Sequence, residues 1–325
     1  MTTLMKTKNE AAALRIVNRC RRQVDQLEDT TARLLAARYA ILTRAIRKDL
    51  KSLKTRDPRN RPPVVRYQTD IRPKIEERAQ IYAQEAEKDM LRLARKTARL
   101  GAESADRSAR KVAPKDSGSW ERIGIGGLFS APLLSASRDA LRRIPGAIAE
   151  RISDLVQQAV GMAEQGLDWL MSRIGEALGG IWSGIQRTVR TLAEQMFRRA
   201  QQEQARKTPV MKWLRIANHE TACLACLLLE GTVYDREEDF ADHPNGRCTI
   251  TPIEAGTPHD ERPGRDWLEK QDEETQRRIM GKTRFEAWKN GELSLDDMVE
   301  VVSDPVYGPI PHLVQLSRLG LTPAK

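Results

Sequence analysis

Four residues in the last third of the chain have the types and the order of a metal site. Cys223 and Cys226 form a C-x-x-C pair, His243 follows after 16 intervening residues, and Cys248 after four more. A C-x-x-C pair offers two soft thiolate donors one turn apart, and a distant His and Cys complete the four ligands that a structural zinc ion takes in a tetrahedron. Closing such a site fixes a loop in a module whose own core would be marginal, so ion binding would contribute directly to folding. Two other readings of the same residues stay open. Buried cysteines can serve as small apolar side chains with His243 merely hydrogen-bonded, and a C-x-x-C pair can do redox chemistry, although the strand-then-helix setting of a thioredoxin-type site is missing. His219 is an alternative to His243 as the fourth ligand.

The elements that must position these residues follow from composition and patterning. The chain has 325 residues, of which 40% are hydrophobic, 31% charged and only 5% aromatic. That balance suits elongated helices with narrow apolar seams better than one large globule. The net charge of +10 is uneven: residues 1–115 hold 29 Lys and Arg against 14 Asp and Glu, leaving 26 against 31 for residues 116–325. A basic half attracts polyanions through long-range potential and counterion release, so nucleic acid or an acidic protein surface is its natural partner. The polar start Met1–Glu10 has no apolar segment behind it, so we expect no signal peptide and a soluble cytoplasmic chain at synthesis. The uncharged stretch Ile123–Ser137 is too short and too rich in Gly, Ser and Pro to span a membrane.

Apolar residues recur at helical spacing from about Ala11 to Leu53, with Asp57-Pro58 and Arg61-Pro62-Pro63 as stops. A second helix is predicted from Arg72-Pro73 to about Leu100, with Ile75, Ile81, Tyr82, Met90, Leu93 and Ala94 on its buried side. The two can fold back as a hairpin or pair with a partner as a coiled coil. Lys111–Ser119 reads as a hinge. Helical periodicity resumes after Pro145 and runs to Met196, with a kink or break expected at Gly179-Gly180 and Gly184. Acidic residues recur in this segment, so it reads as packed on protein, with Trp169 and Trp182 in that packing instead of anchoring a membrane. Short strands are expected at Leu214–Ala217, Thr232–Tyr234 and Thr249–Thr251, with turns at Glu230-Gly231 and Pro244-Asn245-Gly246. Helices are expected over Asp266–Met280 and Arg284–Lys289, and a capping box at Ser294 and Asp297 opens one more toward Val302, ended by Asp304-Pro305. The fold class is therefore mainly α, with long amphipathic helices in the N-terminal two thirds and a small α+β C-terminal module that zinc would stabilise. Three segments follow: a basic helical arm or hairpin over 1–115, a hinge with amphipathic helices over 116–200, and the C-terminal module over 201–325.

The stretch KWLRIANHETACLACLLLEGTVYDREEDFADHPNGRCTITPI from Lys212 to Ile253 resembles the signature region of the phage head-morphogenesis family, the Mu F-like minor head proteins. That family has a Trp-containing strand, a C-x-x-C pair, a Gly-led turn, an H-P-x-C-R-C element and a Pro. The likeness continues through RDWLEKQDEETQRRIMGKTRFEAWKNGELSLDDMV and the DPVYGP segment, about a third of the chain in all. Gly246 stands where many members have a cysteine, so zinc here must be held by Cys223, Cys226, His243 and Cys248 without a spare thiol. Arg247 is expected to hold a carboxylate or a carbonyl within the fold. The resemblance implies a minor capsid protein, assembled in the host cytoplasm into the virion interior or portal vertex. Its partners would be the portal protein and other capsid or scaffolding components, and it would aid procapsid assembly and DNA packaging or ejection. The basic arm adds non-specific contact with phage DNA.

Two rivals are weighed against that expectation. A hydrolase using His243 with Asp242, or Cys248, would need more than this sequence offers, which has no P-loop, no G-x-S-x-G elbow and no H-E-x-x-H. We therefore expect no enzyme. A zinc-dependent DNA-binding regulator is the alternative, and it predicts sequence-selective binding where the leading reading predicts weak, salt-sensitive binding blind to sequence.

Overall fold

The apolar seam that begins at Leu14 closes into one uninterrupted helix, α1, over Lys8–Lys51. Thr7 and Glu10 cap its start reciprocally: the Glu10 amide donates to Thr7 Oγ1 at 3.1 Å and the Thr7 amide to Glu10 Oε2 at 3.3 Å. The computed structural model describes residues 5–54, 59–130, 132–160, 162, 165–219, 221–244 and 246–322. The stop expected at Asp57-Pro58 and the turn residue Asn245 lie outside them. A short helix α2 (Pro63–Arg66) leads through a wide turn at Tyr67–Ile71 into α3 (Arg72–Val112). The wide turn precedes Pro73, which has no amide to give to the carbonyl four residues back. Helix α3 runs well past Leu100, because its seam there is built of small residues that carry little periodic signal: Ala102, Ala105 and Ala109 are all buried.

After Gly118, which adopts φ +68°, and a 3-10 turn at Ile125–Ser130 come α4 (Pro132–Arg142), α5 (Ile144–Val160) and α6 (Gly166–Arg206). A break at Gly179-Gly180 and Gly184 does not occur, and α6 passes through all three. A glycine costs a helix about 1 kcal/mol, which the seam Ile174, Leu178, Ile185, Val189 outweighs by burial. No helix among the described residues is long and apolar enough to cross a membrane.

The sheet elements are β1 (Lys212–Ile216), β2 (Val233–Asp235) and β3 (Thr249–Pro252), an antiparallel sheet in the order β2-β1-β3. Helix α7 (Leu224–Leu228) lies between β1 and β2 in sequence. The helix expected over Asp266–Met280 divides into α8 (Pro263–Glu269) and α9 (Glu273–Met280), since Asp272 caps α9 by accepting from the Thr275 amide. Helix α10 spans Lys282–Lys289. The Ser294–Asp297 box forms, but it opens only a 3-10 turn at Asp296–Met298. The run Val299–Val302, read as helix, is instead strand β4 (Val299–Asp304), paired with β5 (Gly308–Leu313). Three valines in four residues favour the pleated conformation. The architecture is thus mainly α with a small α+β C-terminal region.

The chain divides into two compact units. One comprises Met1–Asp25, Arg95–Ser130 and Ala193–Lys325, the other Gln26–Ala94 and Ala131–Leu192. In the second, α1 and α3 pack antiparallel within the chain: Arg38 pairs with Glu85 and Asp89 at 3.1 and 3.2 Å, and Asp49 with Arg78 at 3.2 Å. Tyr39 stacks on Trp182 and donates to the Leu178 carbonyl at 2.9 Å. Ile81, expected on the buried side, is exposed, and so is Leu34 among the apolar residues of α1. In the first unit, Ala13, Ala105, Ala109, Val112 and Ala205 from three helices join Trp213, Phe240 and Ile250 in one core.

Gly101 marks how closely helices approach in that core, since an added Cβ would lie 2.0 Å from the Phe197 carbonyl oxygen. Gly180 is exposed with nothing within 4 Å of such a Cβ. Gly101→Ala should therefore destabilise by about 1–3 kcal/mol, while Gly180→Ala should stabilise by about 1 kcal/mol. Urea denaturation midpoints check both, and equal shifts would contradict the packing described.

Candidate metal centre

Three short stretches of the first unit bring the site residues together. Cys223 precedes α7 and Cys226 lies within it, so a single helical turn turns both sulfurs to one side. The loop 241–248 carries His243 and leads into β3 through Cys248. The Cys223 and Cys226 sulfurs each lie 3.2 Å from His243 Nε2. His243 Nδ1 donates to the Pro244 carbonyl at 2.9 Å, which leaves Nε2 as the nitrogen facing the sulfurs. Donor atoms of Cys223, Cys226 and His243 fall within 4.8 Å of one another, and Cys226, Asp242 and Cys248 form a second such group sharing Cys226. A cavity of about 20 Å³ is lined by Cys223, Cys226, His243 and Cys248 together with Gly246 and Arg247.

Those features fit a single small ion. A tetrahedral zinc with sulfurs at about 2.3 Å and nitrogen at about 2.0 Å separates such donors by about 3.5 Å, close to the spacing seen. The cavity has room for about one water or one ion. Cys223, Cys226 and His243 meet as one group, and Cys248 lines the same cavity but groups with Cys226 and Asp242. His219 does not join them: it bonds the buried Glu230 carboxylate and packs on Trp267 at 5.0 Å between ring centres. Gly246 has a physical reason to be glycine, since a Cβ there would lie 2.1 Å from the Asp242 carboxylate. Arg247 faces Asp25 at 3.5 Å and Glu194 at 4.0 Å, the carboxylate contact expected of it.

Apart from Asp242, singled out in the sequence only beside His243, two sets of residues at the site carry no signal in the sequence pattern. Arg215, in the middle of β1, is fully buried. Its Nη2 donates to Cys248 Sγ at 3.3 Å and Cys226 Sγ at 3.5 Å, its Nη1 donates to the Ala241 carbonyl, and its guanidinium lies 4.9 Å over the Phe240 ring. Asp242 Oδ1 sits 3.8 Å from Arg215 and accepts from the His243 amide at 3.0 Å. The second set is a polar ladder on the last turns of α6. Arg198 donates to the carbonyls of Asp242 and Tyr307 at 2.9 and 3.1 Å. Gln201 donates to the Ile250 carbonyl at 3.0 Å and accepts from Thr249 Oγ1 at 3.0 Å. Gln202 donates to the Glu238 carbonyl at 3.0 Å. This ladder fixes the backbone on both sides of the 241–248 loop.

Electrostatics inside the site separate the thiols. A hydrogen bond from the Cys226 thiol and the neighbouring His243 imidazole pull Cys223, an exposed residue, down to about 4 against the partial desolvation of its sulfur. The same contact with Cys223 pushes His243 up to about 9. Cys226 is pushed well above the ordinary thiol value by its hydrogen bonds with Cys223 and Cys248 and by burial. Arg215 is held protonated: burial opposes its charge, but Cys248, Cys226 and Asp242 outweigh that. In the metal-free protein the Cys223–His243 pair is therefore thiolate and imidazolium from about pH 4 to about pH 9.

No protein-family model matches the chain, and no curated protein or solved structure matches it.

The thiol energetics predict that Cys223 in metal-free protein is alkylated by iodoacetamide at nearly the same rate at pH 5.5 as at pH 8. Cys226, buried and protonated, should stay unmodified over that range. Peptide mass analysis distinguishes them, and a rate for Cys223 that falls about tenfold per pH unit below 8 would refute the assignment.

Proposed function

We propose that the chain is a minor head protein of a tailed bacteriophage, held near the portal vertex, where it assists procapsid assembly and DNA packaging or ejection. The observation that carries this reading is that Cys223, Cys226, His243 and Cys248, the signature positions of the resemblance, line one cavity. In this reading zinc is the resident ion and its role is structural: it ties α7 to the 241–248 loop and so closes the α+β region. The thiols are then ligands and not nucleophiles, and the chain acts by assembly and contact.

The basic helices supply the DNA contact. Arg15, Arg19 and Arg22 recur along one exposed face of α1, and Lys96 and Arg99 along α3, all within the first unit. None of the five has a carboxylate partner among the described residues, whereas Arg21, Arg107 and Arg110 nearby are each paired with one. Unpaired like charges side by side repel, and a phosphate backbone relieves that repulsion while releasing counterions.

Protein purified without chelator should contain one zinc per chain by elemental analysis, and a chain that binds none at micromolar zinc would remove the zinc reading. Binding to duplex DNA should ignore sequence and weaken with salt at a log–log slope of about −4 to −5 if all five cations engage. Arg19→Glu with Lys96→Glu should lower that slope by about 2. Sequence-selective binding would favour the regulator instead. In purified virions the chain should be sparse relative to the major capsid protein, and hundreds of copies would contradict a vertex position.

A further inference from the structure

The Cys226–Asp242–Cys248 group already contains a cation, the Arg215 guanidinium. Three acceptors converge there, two sulfurs and a carboxylate, every one of them buried. Into that convergence the strand β1 delivers a single nitrogen, Arg215 Nη2, whose two hydrogens serve the two sulfurs at 3.3 and 3.5 Å, with Asp242 Oδ1 at 3.8 Å. The Ala241 carbonyl accepts from Nη1 and the Phe240 ring covers one face of the head group, while the buried Nε has no hydrogen-bond partner among the described residues. Register sets this placement, because Arg215 pairs across the sheet with Ile250, two residues after Cys248.

We infer that Arg215 is the positioning residue of the thiolate centre: it orients the sulfurs of Cys226 and Cys248 toward the shared cavity and occupies the place a second ion would take. The inference rests on the zinc reading above and adds to it. Charge balance points the same way. Three thiolates and a neutral imidazole around a dication carry one net negative charge and the buried Asp242 carboxylate a second, and two buried guanidiniums, Arg215 against two of the thiolates and Arg198 on the Asp242 carbonyl, offset them where water cannot. Lysine can keep the charge but cannot present two hydrogens from one nitrogen while bonding a carbonyl with another.

The test uses the full chain loaded with Co²⁺, whose thiolate charge-transfer and ligand-field bands report sulfur coordination directly. Wild type should take one cobalt and show no second thiolate site when a second equivalent is added. Arg215→Lys should bind one ion 10–100-fold more weakly, as outer-shell substitutions do, with shifted charge-transfer bands, and Arg215→Met should lose more. Zinc competition against a chromophoric chelator gives the affinities, and circular dichroism verifies folding. A folded Arg215→Lys chain with wild-type affinity and spectrum would overturn the inference while leaving the zinc reading intact. So would a second thiolate-bound cobalt in the wild type, an outcome that needs no variant to fold. A wild-type chain that binds no ion would overturn both.

Discussion

A guanidinium with no contact with water sits against two cysteine sulfurs, and the α+β region is organised by the need to satisfy it. Taking such a charge out of water costs several kcal/mol unless every side of it finds a partner. Arg215 finds the Cys226 and Cys248 sulfurs, the Asp242 carboxylate, the Ala241 carbonyl and the face of Phe240, and of its nitrogens only the buried Nε has no hydrogen-bond partner among the described residues. Those partners come from α7, from the 241–248 loop and from Phe240 just before it. Any slip of β1 by one residue would turn Arg215 to the opposite face of the sheet and leave the charge unpaired. The buried cation therefore specifies the register of the central strand, and through it the relative positions of the two halves of the candidate metal centre.

This constraint also explains which parts of the site could be read beforehand. Cysteines and histidines are rare and their spacing is diagnostic, so Cys223, Cys226, His243 and Cys248 were legible as a set. Arg215 was not, because an arginine in a five-residue strand looks like an outward-facing residue, and only the fold reveals that Phe240, Ala241 and the Cys226 and Cys248 sulfurs surround it. Asp242 was legible only as a neighbour of His243. Its actual effect, filling the space beside position 246 so that only glycine fits there, depends on a loop conformation that no periodic pattern encodes.

The helices divide the same way. Where the seam is built of leucine, isoleucine and valine, as along α1 and the first half of α6, spacing alone located it. Where helices come closest, at Gly101 and its alanine neighbours, the residues that permit the contact are too small to announce it, and α3 outran its expected end. Glycines on the less buried face of α6 do not break it, because the neighbouring buried seam outweighs their cost. At Val299–Val302 a correctly recognised cap was overridden by the valines that follow it, since the cap stabilises one turn but cannot dictate what comes after.

The end of α6 has a composition, QMFRRAQQEQAR, that reads as a solvated face. Its Gln195, Arg198, Gln201, Gln202 and Gln204 are instead buried. Glutamine and arginine suit that position because apolar contact is non-directional, whereas an amide that both donates to the Ile250 carbonyl and accepts from Thr249 fixes the backbone in distance and angle. Arg198, bonded to the Asp242 carbonyl, does the same at the other end of the loop. A loop held at both ends by a rigid helix keeps His243 and Cys248 near their binding positions whether or not an ion is present, so less ordering entropy remains to oppose binding. The polar ladder and the buried guanidinium thus act on the same loop from two directions, one through its backbone and the other through its sulfurs.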